Sequence, residues 1–141
     1  LNHDERVSHA DAVAMHRDLL RLRRETRQLQ APRRGEVDGT IIGPGVFALR
    51  YFDDDPAGHR LLVVNLDGQY DRSSVADPLV APPADMKWKT RWSSEDPAYG
   101  GTGTPELWTT GGWCIPGRMA IFLEPIPGAP EGVAHVRRRT A

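Results

Sequence analysis

Glu95 and Asp96 are the side chains here best suited by type to acid–base chemistry. They are adjacent carboxylates in a polar loop within the stretch Trp88 to Gly103, WKTRWSSEDPAYGGTG. Hydrolysis of a glycosidic bond takes two carboxyls facing each other, roughly 5 to 10 Å apart. Neighbouring residues of an extended segment point to opposite sides, so this loop cannot supply that pair alone. A local role fits better: Ser93, Ser94 and Asp96 cap their own loop and Pro97 fixes its exit. Metal ligation lacks a pattern. His3, His9, His16, His59 and His135 are scattered, with no H-x-x-x-H or H-E-x-x-H spacing and no cysteine among them. Asp53-Asp54-Asp55 lacks the Gly and terminal Glu of a calcium loop and reads as a solvated hairpin tip. A serine nucleophile would need a G-x-S-x-G or similar elbow, which is absent. Cys114, between Trp113 and Ile115, suits a buried, inert thiol. Gly43-Pro44-Gly45 and Gly100-Gly101-Thr102-Gly103 are short and lack the lysine of a phosphate loop. The reading is no catalytic, metal or cofactor residue in this chain.

The tryptophans raise a different chemistry, stacking on sugar rings. Trp88 and Trp92 alternate with Lys87, Lys89 and Arg91, so they share one face of a strand, and the core face is the simpler reading. Trp108, in less regular surroundings, is the candidate for sugar stacking.

These residues hang on elements that the pattern predicts. Ser8 to Gln30 reads as one amphipathic helix, opened by a Ser8/Asp11 capping box. Met15, Leu19, Leu22 and Leu29 form its stripe, with Val13 and Leu20 beside it. Arg17, Arg21, Arg23, Arg24 and Arg27 cover the rest, Arg21 can pair with Glu25, and Ala31-Pro32 ends the helix. An arginine face can meet nucleic acid, but Asp18 and Glu25 interleave it, which favours a helix lying on a larger body. The period then changes from 3.6 to 2. Strands are expected over Glu36–Ile42, Val46–Phe52, Arg60–Leu66 (the most apolar, hence central), Gln69–Ala76 (an edge), Met86–Trp92, Trp113–Pro116 and Met119–Glu124. The fold class is therefore mainly β: an antiparallel β-sandwich of about seven short strands preceded by one long amphipathic α-helix.

Composition agrees. Fourteen Gly and twelve Pro in 141 residues mean many turns. Eighteen basic and nineteen acidic residues leave a formal charge of −1, so no nucleic acid or membrane partner is expected. A single cysteine rules out a disulfide framework and makes a reducing cytoplasm the default localisation. No apolar run approaches the roughly 20 residues of a membrane span, and Asp4, Glu5 and Arg6 stand where a signal peptide would be apolar. Leu1 at the start, followed almost at once by a helix, suggests a piece of a longer protein.

The run M-H-R-D-L-L-R-L-R-R-E (Met15 to Glu25) resembles the last helix of the catalytic barrel in α-amylase-clan glycoside hydrolases. R-W-S-S-E-D-P-A-Y-G-G (Arg91 to Gly101), then G-W-C-I-P-G-R-M-A-I-F-L (Gly112 to Leu123), resembles the C-terminal β-domain of that clan, nearest to the malto-oligosyltrehalose trehalohydrolases. L-L-V-V-N-L (Leu61 to Leu66) fits the same domain, and the branching enzymes carry a similar S-D-x-x-x-Y-G-G loop. The resemblance implies three parts: residues 1–31 as the terminal helix of a (β/α)8 barrel, 32–127 as the β-sandwich, and 128–141 as a flexible tail. Such enzymes cleave the α-1,4 bond next to a terminal trehalose unit, by a retaining mechanism with two carboxyls. Those carboxyls sit on a barrel of about 250 residues, which this chain cannot contain, so no residue here inherits a catalytic role. The resemblance also implies that Glu95, Asp96 and Tyr99 contact the barrel. The partners implied are that barrel, a maltooligosaccharide-type substrate for the parent enzyme, and self-association through the exposed helix face. The alternatives are the C-terminal domain of a glycogen branching or debranching enzyme, or an independent carbohydrate-binding module.

Overall fold

The computed structural model describes residues 8–73, 75, 77–109 and 112–128. The tail expected over 128–141 lies outside them except for Gly128, as does the segment before Ser8. Helix α1 (Ala10–Glu25) is followed by a single turn, α2 (Arg27–Gln30). Among the described residues eight strands follow: β1 (Val37–Gly43), β2 (Val46–Tyr51), β3 (Arg60–Asn65), β4 (Tyr70–Arg72), β5 (Met86–Ser93), β6 (Trp108–Thr109), β7 (Gly112–Ile115) and β8 (Met119–Pro127). They form a five-stranded sheet, β1-β2-β3-β8-β5, and a three-stranded sheet, β4-β7-β6, with every pairing antiparallel. A mainly β sandwich preceded by a long helix is thus the observed class.

The core lies between the sheets. Val46, Ala48, Leu61, Val63, Ile121 and Leu123 face inward from the larger sheet and meet Trp113 and Ile115 of the smaller one, with Leu107 and Val80 in the same cluster. Burying a branched aliphatic side chain contributes about 1.5–3 kcal/mol. This is why RLLVVN lies at the middle of the larger sheet, with its apolar neighbour β8 beside it. Tyr70–Arg72 is an edge strand, as its weak pattern suggests.

The helix departs from expectation. At Thr26 the backbone turns extended (φ −108°, ψ 104°), so the single helix read from the sequence is two. The N-cap of α1 is His9, without a side-chain capping bond, in place of the Ser8 expected to open the helix. Arg21 pairs with Asp18 at 3.5 Å, while Glu25 faces Arg91 of β5 at 3.8 Å instead of Arg21. A strand outside the helix competes for Glu25, which helical spacing alone cannot show.

Strand β5 also departs from simple alternation. Its register against β8 shifts between Thr90 and Trp92, with Arg91 as the extra residue of a β-bulge. Trp88 remains on the core face, 8 % exposed. Trp92 pairs with Phe122, which lies on the opposite face from Ile121 and Leu123. The two tryptophans therefore do not share a face.

Candidate functional site

The loop after β5 is built by local bonds. Ser93 Oγ accepts from the amide of Glu95, and Asp96 Oδ1 accepts from the amide of Ala98, which opens a short 3₁₀ turn over Pro97–Tyr99. Ser94 does not cap the loop; its Oγ accepts from the amide of Ala120 at 3.0 Å and ties the loop to β8. Glu95 turns back over the loop, its carboxylate 3.4 Å from the amide and the hydroxyl of Thr102. The turn closes on Gly100 with φ +79°, a left-handed conformation that glycine adopts freely. Gly101 is required by space: a Cβ there would lie 2.2–2.5 Å from the backbone of Glu95.

This loop carries the helix. The Tyr99 hydroxyl donates to Asp18 at 2.8 Å and accepts from the indole Nε1 of Trp92 at 3.2 Å. Burial, followed by the Asp18 carboxylate, raises the Tyr99 pKa above its ordinary value. Arg91 reaches Glu124 at 3.0 Å and Glu25 at 3.8 Å. A Cβ on Gly100 would come within 3.0 Å of the Asp11 carboxylate. Asp11, Asp18 and Glu25 thus meet the sandwich in turn. Their seven-residue spacing puts them on one line of the helix, with the buried Leu22 beside it. That spacing is visible in the sequence as one acidic line on the helix, but it does not identify the loop that meets it. Of the loop residues singled out, Tyr99 reaches the helix directly, whereas Glu95 and Asp96 shape the loop.

Beyond Thr26, the end of the helical segment is held by the turn after β2. Asp53 accepts from Arg27 at 2.6 Å and from Gln28 at 2.5 Å. These bonds, led by Arg27, hold its carboxyl at a pKa of about 2. Asp53 is therefore not part of a solvated hairpin tip; a partner from a distant element occupies it. Arg50 has no sequence pattern that marks its role. It is 5 % exposed on the inward face of β2 and donates to the carbonyls of Leu79 and Ala81 and to His59 Nδ1. Its guanidinium lies 4.7 Å from the Trp88 ring centroid, and burial lowers its pKa.

Trp108 is half-buried, its ring 4.4 Å from that of Trp113. It lines a groove of about 480 Å³ with Trp88, Lys87, Lys89, Thr90 and Glu106. Cys114 is half-buried opposite Asp71, to which its thiol donates. That bond, then burial, raises the thiol pKa and suits an unreactive cysteine. Among the described residues no group of His, Cys, Asp and Glu could hold a metal ion, and no helix is long and apolar enough to cross a membrane.

A scan against models of known protein families finds no match, and no curated protein sequence matches the chain.

Proposed function

We propose that this chain is the C-terminal β-domain of an α-amylase-clan glycoside hydrolase, together with the last helix of its catalytic barrel, and that the parent enzyme resembles malto-oligosyltrehalose trehalohydrolase. In this reading the domain is non-catalytic. It packs against the barrel and braces it, while the barrel hydrolyses the α-1,4 bond next to a terminal trehalose unit with its own two carboxyls. Glu95, Asp96 and Tyr99 belong to the junction loop.

The supporting observation is the two-sided character of α1. One side is tied to the sandwich through Asp18–Tyr99 and Glu25–Arg91. The flank bearing Leu19 and Leu20 stays open, with Leu20 58 % exposed. A helix anchored to one body with a second apolar flank unfilled suits a position between two bodies. Alone, the chain should associate through that flank.

The test is the reading frame upstream of Leu1 and the activity of the full enzyme. The expected result is a (β/α)8 barrel in frame and release of trehalose from a maltooligosyl trehalose. An upstream frame without a barrel rejects the proposal. A barrel enzyme that transfers glucan branches without releasing trehalose leaves the clan standing and corrects the reaction.

A further inference from the structure

One edge of the sandwich carries the groove beside Trp108, between β5 at the edge of one sheet and β6 at the edge of the other. Its floor is apolar and already satisfied. The indole N–H of Trp88 donates to the carbonyl of Val80 at 2.8 Å, and Arg50 covers one of its faces. Leu107 is 2 % exposed beside it. Trp108 leans on Trp113 on one side, which holds its ring in place as part of the groove wall. The rim is polar and mixed in sign, with Lys87, Lys89, Thr90 and Glu106 all exposed.

This combination selects among ligand classes. A volume near 480 Å³ falls within the range of small-ligand clefts, about 300–1,000 Å³. An anion would suit the lysines but meet Glu106. A peptide adding to β5 as a strand would meet the two features that keep edge strands from pairing, exposed lysines and a bulge. A pyranose ring has an apolar C–H face for an indole and equatorial hydroxyls that both donate and accept. A fixed indole with ammonium donors, a hydroxyl and a carboxylate around it answers both halves of that surface.

We propose that this groove binds the end of a neutral oligosaccharide, with Trp108 as the stacking face and Lys87, Lys89, Thr90 and Glu106 as hydrogen-bonding partners of the ring hydroxyls. The choice of an α-1,4-glucan as first probe rests on the proposed function; the groove itself does not.

Calorimetric titration of the 141-residue chain with maltopentaose, and separately with cellopentaose, tests it. The expected result is saturable maltopentaose binding, weakened at least about tenfold in Trp108→Ala and within about threefold of the original in Trp108→Phe. Near-ultraviolet circular dichroism confirms that each variant is folded. Should Trp108→Ala unfold, Glu106→Gln at the exposed rim carries the test, with binding expected to weaken about threefold. Absence of saturable binding to either sugar overturns the proposal, as does an unchanged affinity in folded Trp108→Ala or, failing that variant, in Glu106→Gln. Binding of cellopentaose alone upholds the groove and counts against the α-glucan parent. A missing upstream barrel with maltopentaose bound rejects the parent enzyme and leaves the groove standing.

Discussion

Tyr99 joins Asp18 of α1 to Trp92 of β5 through one hydroxyl. Tyr99→Phe keeps the ring and removes both bonds. The expected cost is about 1–2 kcal/mol, since one partner is a carboxylate, read as a lower urea midpoint. Asp18→Asn should give a similar loss, and the double variant less than the sum, because both changes break one contact. Asp53 makes a prediction about pH. Its folded pKa of about 2 lies below the unfolded value of about 3.9. The stability it contributes is therefore complete above about pH 4 and is lost as pH falls through about 2. The gap in urea midpoint between the original chain and Asp53→Asn should be open at about pH 6, close toward pH 2, and narrow in high salt. Arg50 is bound by shape as much as by charge. A lysine cannot reach Leu79, Ala81 and His59 together, so Arg50→Lys should lower stability by about 2–3 kcal/mol.

At the level of elements, the loop between β5 and β6 decides where the helix sits. Gly101 is the position that loop can least change, because a methyl group there meets the backbone of Glu95. Gly101→Ala should open the turn and loosen α1 before it disturbs the sandwich. Hydrogen exchange should then show faster amide exchange over residues 10–25, with β3 and β8 still protected. If α1 keeps its protection in that variant, the loop does not hold the helix. The bulge at Arg91 serves the same contact, since it turns Trp92 to the helix side while Trp88 stays in the core.

For the whole molecule, the sandwich holds a core between two sheets, while apolar surface outside it remains open. Ile41 is 82 % exposed and Leu66 69 %, in addition to the Leu19 and Leu20 flank of α1. Leu20→Lys should leave thermal stability within about 0.5 kcal/mol of the original, as an exposed substitution does. It should also shift the sedimentation of concentrated chain toward monomer. Unchanged association would exclude that flank as the contact.

What the sequence by itself determined is whatever a short window can carry. Alternating residues in Val46–Tyr51 and Arg60–Asn65 specify strands and their inward sets, because side chains of a pleated backbone alternate wherever the strand lies. Ser93 and Asp96 specify their loop because their partners are only two residues away. The tertiary structure alone decided which elements meet. Tyr99 and Asp18 are 81 positions apart, and no local period encodes that pairing. The bulge in β5 exists only against β8, the break at Thr26 accompanies the bonds of Arg27 and Gln28 to Asp53, and Arg50 becomes a core residue only where two carbonyls and His59 converge on it. Each depends on groups brought together by folding, and a buried polar group is tolerated only where such partners arrive.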